Sequence, residues 1–434
     1  MFQESGFFGS WSRCSLLVRF SALCLMMGAL LGVGCDMPSQ PGLPHGPGQG
    51  DESVPGSGSG SGSGGCAGQS LSATPATLKG FGSRGPYGFA TRDLVFVDNS
   101  RPTAPNRSFP GAPQRTLPTR IYYPVCPPDT SASPPPDGLI PVAGGGPFPL
   151  LAYAHGLTSL GDTTRFVTEH LATHGYIIVA PLFPLTNGNA PGGPTFEDYA
   201  NQPADLAFVM RQVAQLTGTN ADLGAAVDTR RRALLGFSAG GTTALIGAYH
   251  PILALDGIQS AVAHSPAVTC ILGPAFFARR LPTLIISGTA SELTPISGPE
   301  RVFSLAPPPV ILVELLGGTL SGFMNREVPF VENTDTQQCQ ALLDSGATGA
   351  DVLNSRFAED LRRGAGPGVI EPVGCTPLCS QRFTQTMGAT RQLLLVRAAT
   401  LAHFEATLRN RWDAKWFLSE QLEAEPDVDV FVKK

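Results

Sequence analysis

The sequence predicts an α/β fold, a mostly parallel sheet with helices on both faces, and three observations carry that expectation. Continuous apolar runs recur along the chain, amphipathic stretches separate most of them, and Gly and Pro punctuate the joints. The runs are "FPLLAYAHG", "GYIIVAPLFP", "RALLGFS", "IQSAVAHSP", "LPTLIISG" and "PPVILVELLGG". A strand covered on both faces has no solvent side, so its polar positions disappear from the pattern. Between the runs, "TTRFVTEHLATHG", "QPADLAFVMRQVAQLTG" and "AGGTTALIGAYH" read as helices. Two earlier segments, "RDLVFVD" and "TRIYYPV", alternate apolar and polar residues and are expected to be half-exposed antiparallel neighbours. The stretch "TRQLLLVRAATLAHFEATLRNRWDAKWFLSEQL" is expected to close the chain as one long helix.

Around this core the chain divides by composition. Of 434 residues, 42% are apolar and 15% charged, with a formal net charge of -5, so there is no basic stripe and no nucleic-acid partner is expected. Residues 1–35 carry Arg13 and Arg19 ahead of the short apolar run "FSALCLMMGALLGVG", an export signal rather than a spanning helix. The signal ends "LLGVGC", which has the form of a lipoprotein signal and makes Cys35 the lipidation site, with ordinary cleavage nearby as the alternative. Residues 36–74 are rich in Gly, Ser and Pro and read as a flexible linker. The expectation is an exported, membrane-anchored protein, periplasmic or on the cell surface, whose membrane partner is reached through the lipid. The folded domain is expected over 75–426, with a cysteine-containing insertion at 325–385, followed by a tail, 427–434.

Six cysteines lie beyond the signal: Cys66, Cys126, Cys270, Cys339, Cys375 and Cys379. An even number in an oxidising compartment favours disulfides, and their pairing is left open. No pair is spaced C-x-x-C and no histidine pair lies near them, so no metal site is expected.

Chemistry enters at "RALLGFSAGGTTALIG". An apolar strand, then Gly236-Phe237-Ser238-Ala239-Gly240, then a small-residue helix is the pattern of a nucleophile elbow, which makes Ser238 the candidate nucleophile. The turn is tight enough that Gly236 and Gly240 must lack side chains for strand and helix to approach. The N–H of Ala239 then points where an oxyanion would form. In "LLAYAHGLTSL" a second strand ends at His155-Gly156-Leu157. A His-Gly here places the Leu157 N–H as the other oxyanion donor and leaves His155 a structural role in holding the loop. An ordinary strand-to-loop turn is the plainer alternative.

The segments "GPYGFATRDLVFVDNSRP", "TLPTRIYYPV", "LLAYAHGL", "GYIIVAPLFPLTN", "NQPADLAFVM" and "LLGFSAGG" together resemble exported α/β hydrolases of the branch containing platelet-activating-factor acetylhydrolase, chlorophyllase and bacterial polyester-hydrolase relatives. The resemblance covers Leu78 to about Pro426. It implies the α/β-hydrolase fold with an eight-stranded sheet, a serine nucleophile, no cofactor, and hydrolysis of carboxylic esters, with a small-molecule or polymeric ester or lipid as substrate.

Two positions depart from that pattern. Relatives carry the acid after the next-to-last strand as Gly-x-x-Asp, and here "SGTASELTP" puts Ser291 in its place. A one-residue shift makes Glu292 the candidate acid; otherwise it is a solvated loop carboxylate. After the last strand, relatives carry a histidine where "GGTLSGF" has Leu320. An aliphatic side chain accepts no proton, and an unassisted serine hydroxyl is a poor nucleophile. Of the remaining histidines, His170 and His174 lie away from the strand ends, His250 ends the helix behind Ser238, and His403 sits on the closing helix off its apolar stripe. His264, at the end of "IQSAVAHSP", is the candidate relocated base. Two functions follow: a serine ester hydrolase with displaced partners, or a degenerate hydrolase acting as a surface binding protein for an ester, lipid or polymer.

Overall fold

The computed structural model describes residues 74–126, 140, 142–161, 163–325, 334–344, 356–371, 376 and 378–434. The signal, Cys35, Cys66 and all of the linker before residue 74 lie outside these residues. The chain enters through a short helix, α1 (Leu78–Gly82), capped by the Thr77 side chain, which accepts from the Gly80 N–H. Strands β1 (Gly88–Asp98) and β2 (Arg115–Val125) follow as an antiparallel pair in register from Gly88 opposite Val125 to Asp98 opposite Arg115. β1 alternates towards Asp98 as a sheet edge with one covered face does, whereas the half-exposed alternation expected of "TRIYYPV" is corrected: residues 121–125 of β2 are all buried, because β2 lies between β1 and β4.

The parallel part comes next. It runs β3 (Phe148–Ala154), α2 (Arg165–Thr173), β4 (Ile177–Pro181), α3 (Gln202–Ala214), α4 (Ala221–Ala226), β5 (Val227–Phe237), α5 (Ala239–Tyr249) and β6 (Ser260–His264). Then follow β7 (Thr283–Gly288), α6 (Ser297–Leu305) and β8 (Val310–Leu315). Every residue of β3, β6 and β7 is buried, as continuous apolar strands require. Helices α7 (Thr334–Asp344) and α8 (Arg356–Arg362) lie within the insertion, ahead of α9 (Ala389–Leu408), α10 (Trp412–Trp416) and β9 (Val428–Lys433).

The nine strands form one sheet in the order β1-β2-β4-β3-β5-β6-β7-β8-β9. β2 is antiparallel to β4, strands β3 to β8 run parallel, and β9 is antiparallel to β8. The expectation of eight strands is corrected here: residues assigned to a tail supply the ninth, with Val428 opposite Leu315. Its sequence, "VDVFVK", alternates as an edge strand does. The single long closing helix is also corrected. α9 stops at Leu408, and Asn410, at φ 55°, turns the chain before α10 begins.

Strand alternation sorts the buried side chains into two cores, one on each face. Leu150, Ala152, Leu234, Ala261, Ala263 and Ile285 pack with α3 and α5. Leu151, Tyr153, Leu235, Phe237, Val262 and Ile286 pack with α2 and α9. Helix α9 runs against the strands. Gln392 near its start holds Thr319, just past β8, while beyond its end Arg409 binds the carbonyls of His174 and Gly175, just before β4. One disulfide joins Cys339 of α7 to Cys379, and Cys126 and Cys270 are also disulfide-bonded.

Candidate active site

Ser238 sits between the last residue of β5 and the first of α5, at the carboxyl edge of the sheet, with φ 54° and ψ -124°. A non-glycine residue in this region costs about 1–3 kcal/mol and persists only where its surroundings fix it. They do so here from three sides. The Ser238 N–H donates to the His264 carbonyl at 2.8 Å, extending the β5–β6 ladder. Its own carbonyl accepts from the N–H groups of Gly241 at 2.9 Å and Ala267 at 3.1 Å. The glycines have the reason expected of them: a Cβ on Gly236 would strike the Gly240 carbonyl, and one on Gly240 the Ala154 carbonyl. Among the described residues the Ser238 hydroxyl has no hydrogen-bond partner, and the residue is half-buried.

The loop after β3 abuts this serine; a Cβ on Gly156 would lie 3.3 Å from the Ser238 Cβ. The N–H groups of Leu157 and Ala239, the expected oxyanion donors, bond to no acceptor among the described residues. Ala239 also opens α5, where the helix end carries positive partial charge. His155 is buried behind the loop. Its Nδ1 lies 2.8 Å from the Gly156 carbonyl, and its Nε2 accepts from the Phe183 N–H at 3.1 Å. With one nitrogen donating and one accepting the ring is neutral, and burial pushes its pKa down to about 4. These two hydrogen bonds tie the ring to the loop after β3 and to the segment after β4.

Ser291 follows β7 and Leu320 follows β8, and one carboxylate draws the two positions together. Asp335, near the start of α7, is 2% exposed. Its Oδ2 accepts from Ser291 Oγ at 3.0 Å and from the Leu320 N–H at 3.0 Å. Its Oδ1 accepts from the Ser321 N–H at 2.9 Å and Ser321 Oγ at 2.6 Å. Hydroxyls continue the chain from Ser291 to Thr294 at 2.8 Å and on to Ser265 at 2.7 Å. The sequence reading missed Asp335, which lies in the insertion, 44 residues from Ser291. Only the tertiary fold makes it the neighbour of both substituted positions.

The candidate acid and base are corrected. Glu292 turns away from Ser291 into the insertion, where its carboxylate accepts from Thr336 Oγ1 at 2.7 Å, Arg382 Nη1 at 2.5 Å and the Phe383 N–H at 3.3 Å. Burial pushes this carboxyl up, but these hydrogen bonds outweigh it and hold the pKa below the ordinary 4.5. All of this serves to pin the insertion to the β7 loop, and none of it orients a base.

His264 shares a face with Val262, two residues earlier, so alternation aims it at α9 and away from α5. Its Nε2 meets Thr400 Oγ1 at 2.8 Å, its Nδ1 is buried without a partner, and burial lowers its pKa to about 3. Its ring makes no hydrogen bond to Ser238. His170, His174, His250 and His403 bond to Phe81, Ser83, Leu361 and Ser260 respectively. His403 lies off the expected stripe yet is 3% exposed, because α9 is buried around most of its circumference. None of the six histidine rings in the described residues hydrogen-bonds Ser238, and the seventh histidine, His45, lies outside them.

The strand–elbow–helix unit at the sheet's carboxyl edge, on this strand order, is the α/β-hydrolase fold. No family model matches the chain, and no curated protein matches it. Among solved structures it is similar to a ferulic acid esterase from Streptomyces cinnamoneus, at 21% identity, covering 80% of this chain and 96% of that one, with a TM-score of 0.49.

Proposed function

We propose that this protein is a carboxylic-ester hydrolase of low turnover, acting through Ser238 without a cofactor. The observation that carries the reading is the serine itself: a strained residue with an unbonded hydroxyl, beside two backbone N–H groups with no protein acceptor. An ester carbonyl oxygen held by the Leu157 and Ala239 N–H groups would be polarised for attack. Ser238 Oγ then adds to the carbonyl carbon, the C=O pair moves onto the oxygen, and the proton leaves to water because no imidazole takes it. Collapse expels the alcohol, and water hydrolyses the acyl-serine. Without the base, turnover falls by several orders of magnitude, while oxyanion stabilisation and binding retain on the order of 10³-fold over water. The leader-like residues 1–35 and the Gly/Ser/Pro-rich residues 36–74 support the reading that the activity lies outside the cytoplasm, tethered through Cys35. The substrate is a small-molecule or polymeric ester.

One observation favours a second reading. Asp335 ties Ser291, Leu320 and Ser321 into a closed network where an acid and base would stand, which suits a protein that binds an ester, lipid or polymer and leaves it intact. A fluorophosphonate probe separates the two. Slow covalent labelling, absent in Ser238→Ala, is expected of the hydrolase; folded wild-type protein that stays unlabelled overturns the hydrolase reading.

A further inference from the structure

Two tryptophans stand out of the surface on a helix one turn long. Trp412 is 78% exposed and Trp416, one turn on, is 48% exposed. Large indoles are rarely left this open on a soluble surface, and a pair at i and i+4 presents one continuous face. The chain enters the domain at the same place: Arg411, immediately before Trp412, donates from Nη2 to the Thr74 carbonyl at 2.8 Å. The first helix of the domain packs there too, with Phe81 of α1 against Phe417 at 5.0 Å and under the Arg411 guanidinium.

This corner begins at the amino edge of the sheet, the edge opposite Ser238. Helix α9 carries the chain from Gln392, beside the carboxyl edge, to Arg409, at the amino edge, and α10 follows. A helix of the length of α9 spans about 30 Å. Ser238 lies at the carboxyl edge.

We propose that the Trp412–Trp416 face docks on the lipid surface to which the chain is tethered, so that the Ser238 site opens away from the membrane. The proposal rests on the reading of Cys35 as a lipid anchor and of the linker as a tether. A Gly/Ser chain of the length of residues 36–73 has a root-mean-square reach of about 35 Å. It emerges at Thr74, beside the indoles, and at that range the local lipid concentration makes even a weak contact populated. Indoles prefer the headgroup boundary, where the ring is half apolar and its N–H is wetted. Beside the indoles Arg411 is paired with Asp413, and Lys415 is exposed. The substrate on this geometry is an ester outside the membrane and not a lipid of the anchoring bilayer.

The protein supplies its own reporter. The chain has three tryptophans, and the third, Trp11, lies in the leader. The mature lipidated protein, in which Trp11 has left with the leader and Trp412 and Trp416 remain, is reconstituted into phosphatidylethanolamine–phosphatidylglycerol vesicles, with and without brominated acyl chains, and floated. Docking predicts co-flotation, emission shifted to the blue, quenching by brominated lipid, and acrylamide quenching reduced by roughly half. Protein that floats with its indoles as open to acrylamide as in lipid-free solution overturns the docking and leaves the anchor standing. Protein that does not float overturns the anchor, and the docking with it. Indoles shielded without lipid in a concentration-dependent way assign the face to a second copy of the chain and overturn the proposal.

Discussion

At Leu320 a hydrocarbon side chain stands where an ester hydrolase carries its base, yet the residue's own N–H is 3.0 Å from a buried carboxylate, Asp335. Ser291, at the position expected of the acid, donates to that same oxygen at 3.0 Å. This makes the two obvious repairs unequal. Leu320→His alone is expected to raise initial rates on a p-nitrophenyl ester by about 10²-fold, the usual contribution of a positioned base. Adding Ser291→Asp places a second carboxylate against Asp335, raises the pKa of one of the pair, and is expected to lower both rate and melting temperature relative to Leu320→His. A double variant faster than the single one would show that Asp335 does not fill the acid position. Asp335→Asn, which replaces an acceptor of four hydrogen bonds by a group that cannot accept them all, is expected to cost about 2–3 kcal/mol in denaturant unfolding.

Helix α7 is the element on which the site's polar side depends. It brings Asp335 to the β7 and β8 loops, Thr336 to Glu292, and Cys339 to the disulfide with Cys379. The Glu292 carboxyl is depressed below 4.5, so its contribution is fully present above that value and is lost as pH falls through the lower folded pKa. Reduction of the disulfide together with Glu292→Gln is expected to expose α7 to limited proteolysis while the sheet stays folded; an unchanged digestion pattern would show that these contacts do not hold it. On the other flank, Arg115 of β2 clamps Asp198 and Asp205 through four hydrogen bonds of 2.6–3.0 Å, all three residues buried. Arg115→Met leaves carboxylates buried with their main partner gone. It is expected to cost about 3–5 kcal/mol in unfolding free energy.

For the whole molecule the buried histidines set the response to acid. His155, His174 and His403 have pKa values pushed down to about 4 and His264 to about 3, in each case mainly by burial, and His170 and His250 are lowered as well. The unfolded chain protonates these rings near 6.5 while the folded one does not, so stability falls as pH drops from 6.5 towards 4. The slope is about 1.4 kcal/mol per pH unit for each ring. Glu314 opposes this: burial and the charges of Glu300 and Asp429 raise its pKa to about 7, so its contribution declines as pH rises towards 7. Burial raises Asp205 in the same sense, and six rings outweigh two carboxyls. Melting temperature is expected to fall steeply between pH 6.5 and 4, and a flat profile in calorimetry would contradict the burial of these rings.

Much of this was legible in the chain itself. Continuous apolar runs gave the parallel strands because strands covered on both faces have no polar side, and Gly236-Phe237-Ser238-Ala239-Gly240 gave the elbow because only glycine fits where backbones nearly touch. The ninth strand was less legible, since six alternating residues at a chain end need a neighbouring edge to pair with. What the sequence by itself determined is local: which residues form strands, which turn presents a serine, and that Leu320 stands in the loop directly after β8. What only the tertiary structure decided is which polar groups meet. Facing of His264 depends on which helix covers its side of the sheet, and the pairing of Asp335 with Ser291 and Leu320 depends on how an insertion folds back across two loops. Hydrogen bonds act over about 3 Å, and separation along the chain says nothing about separation in space.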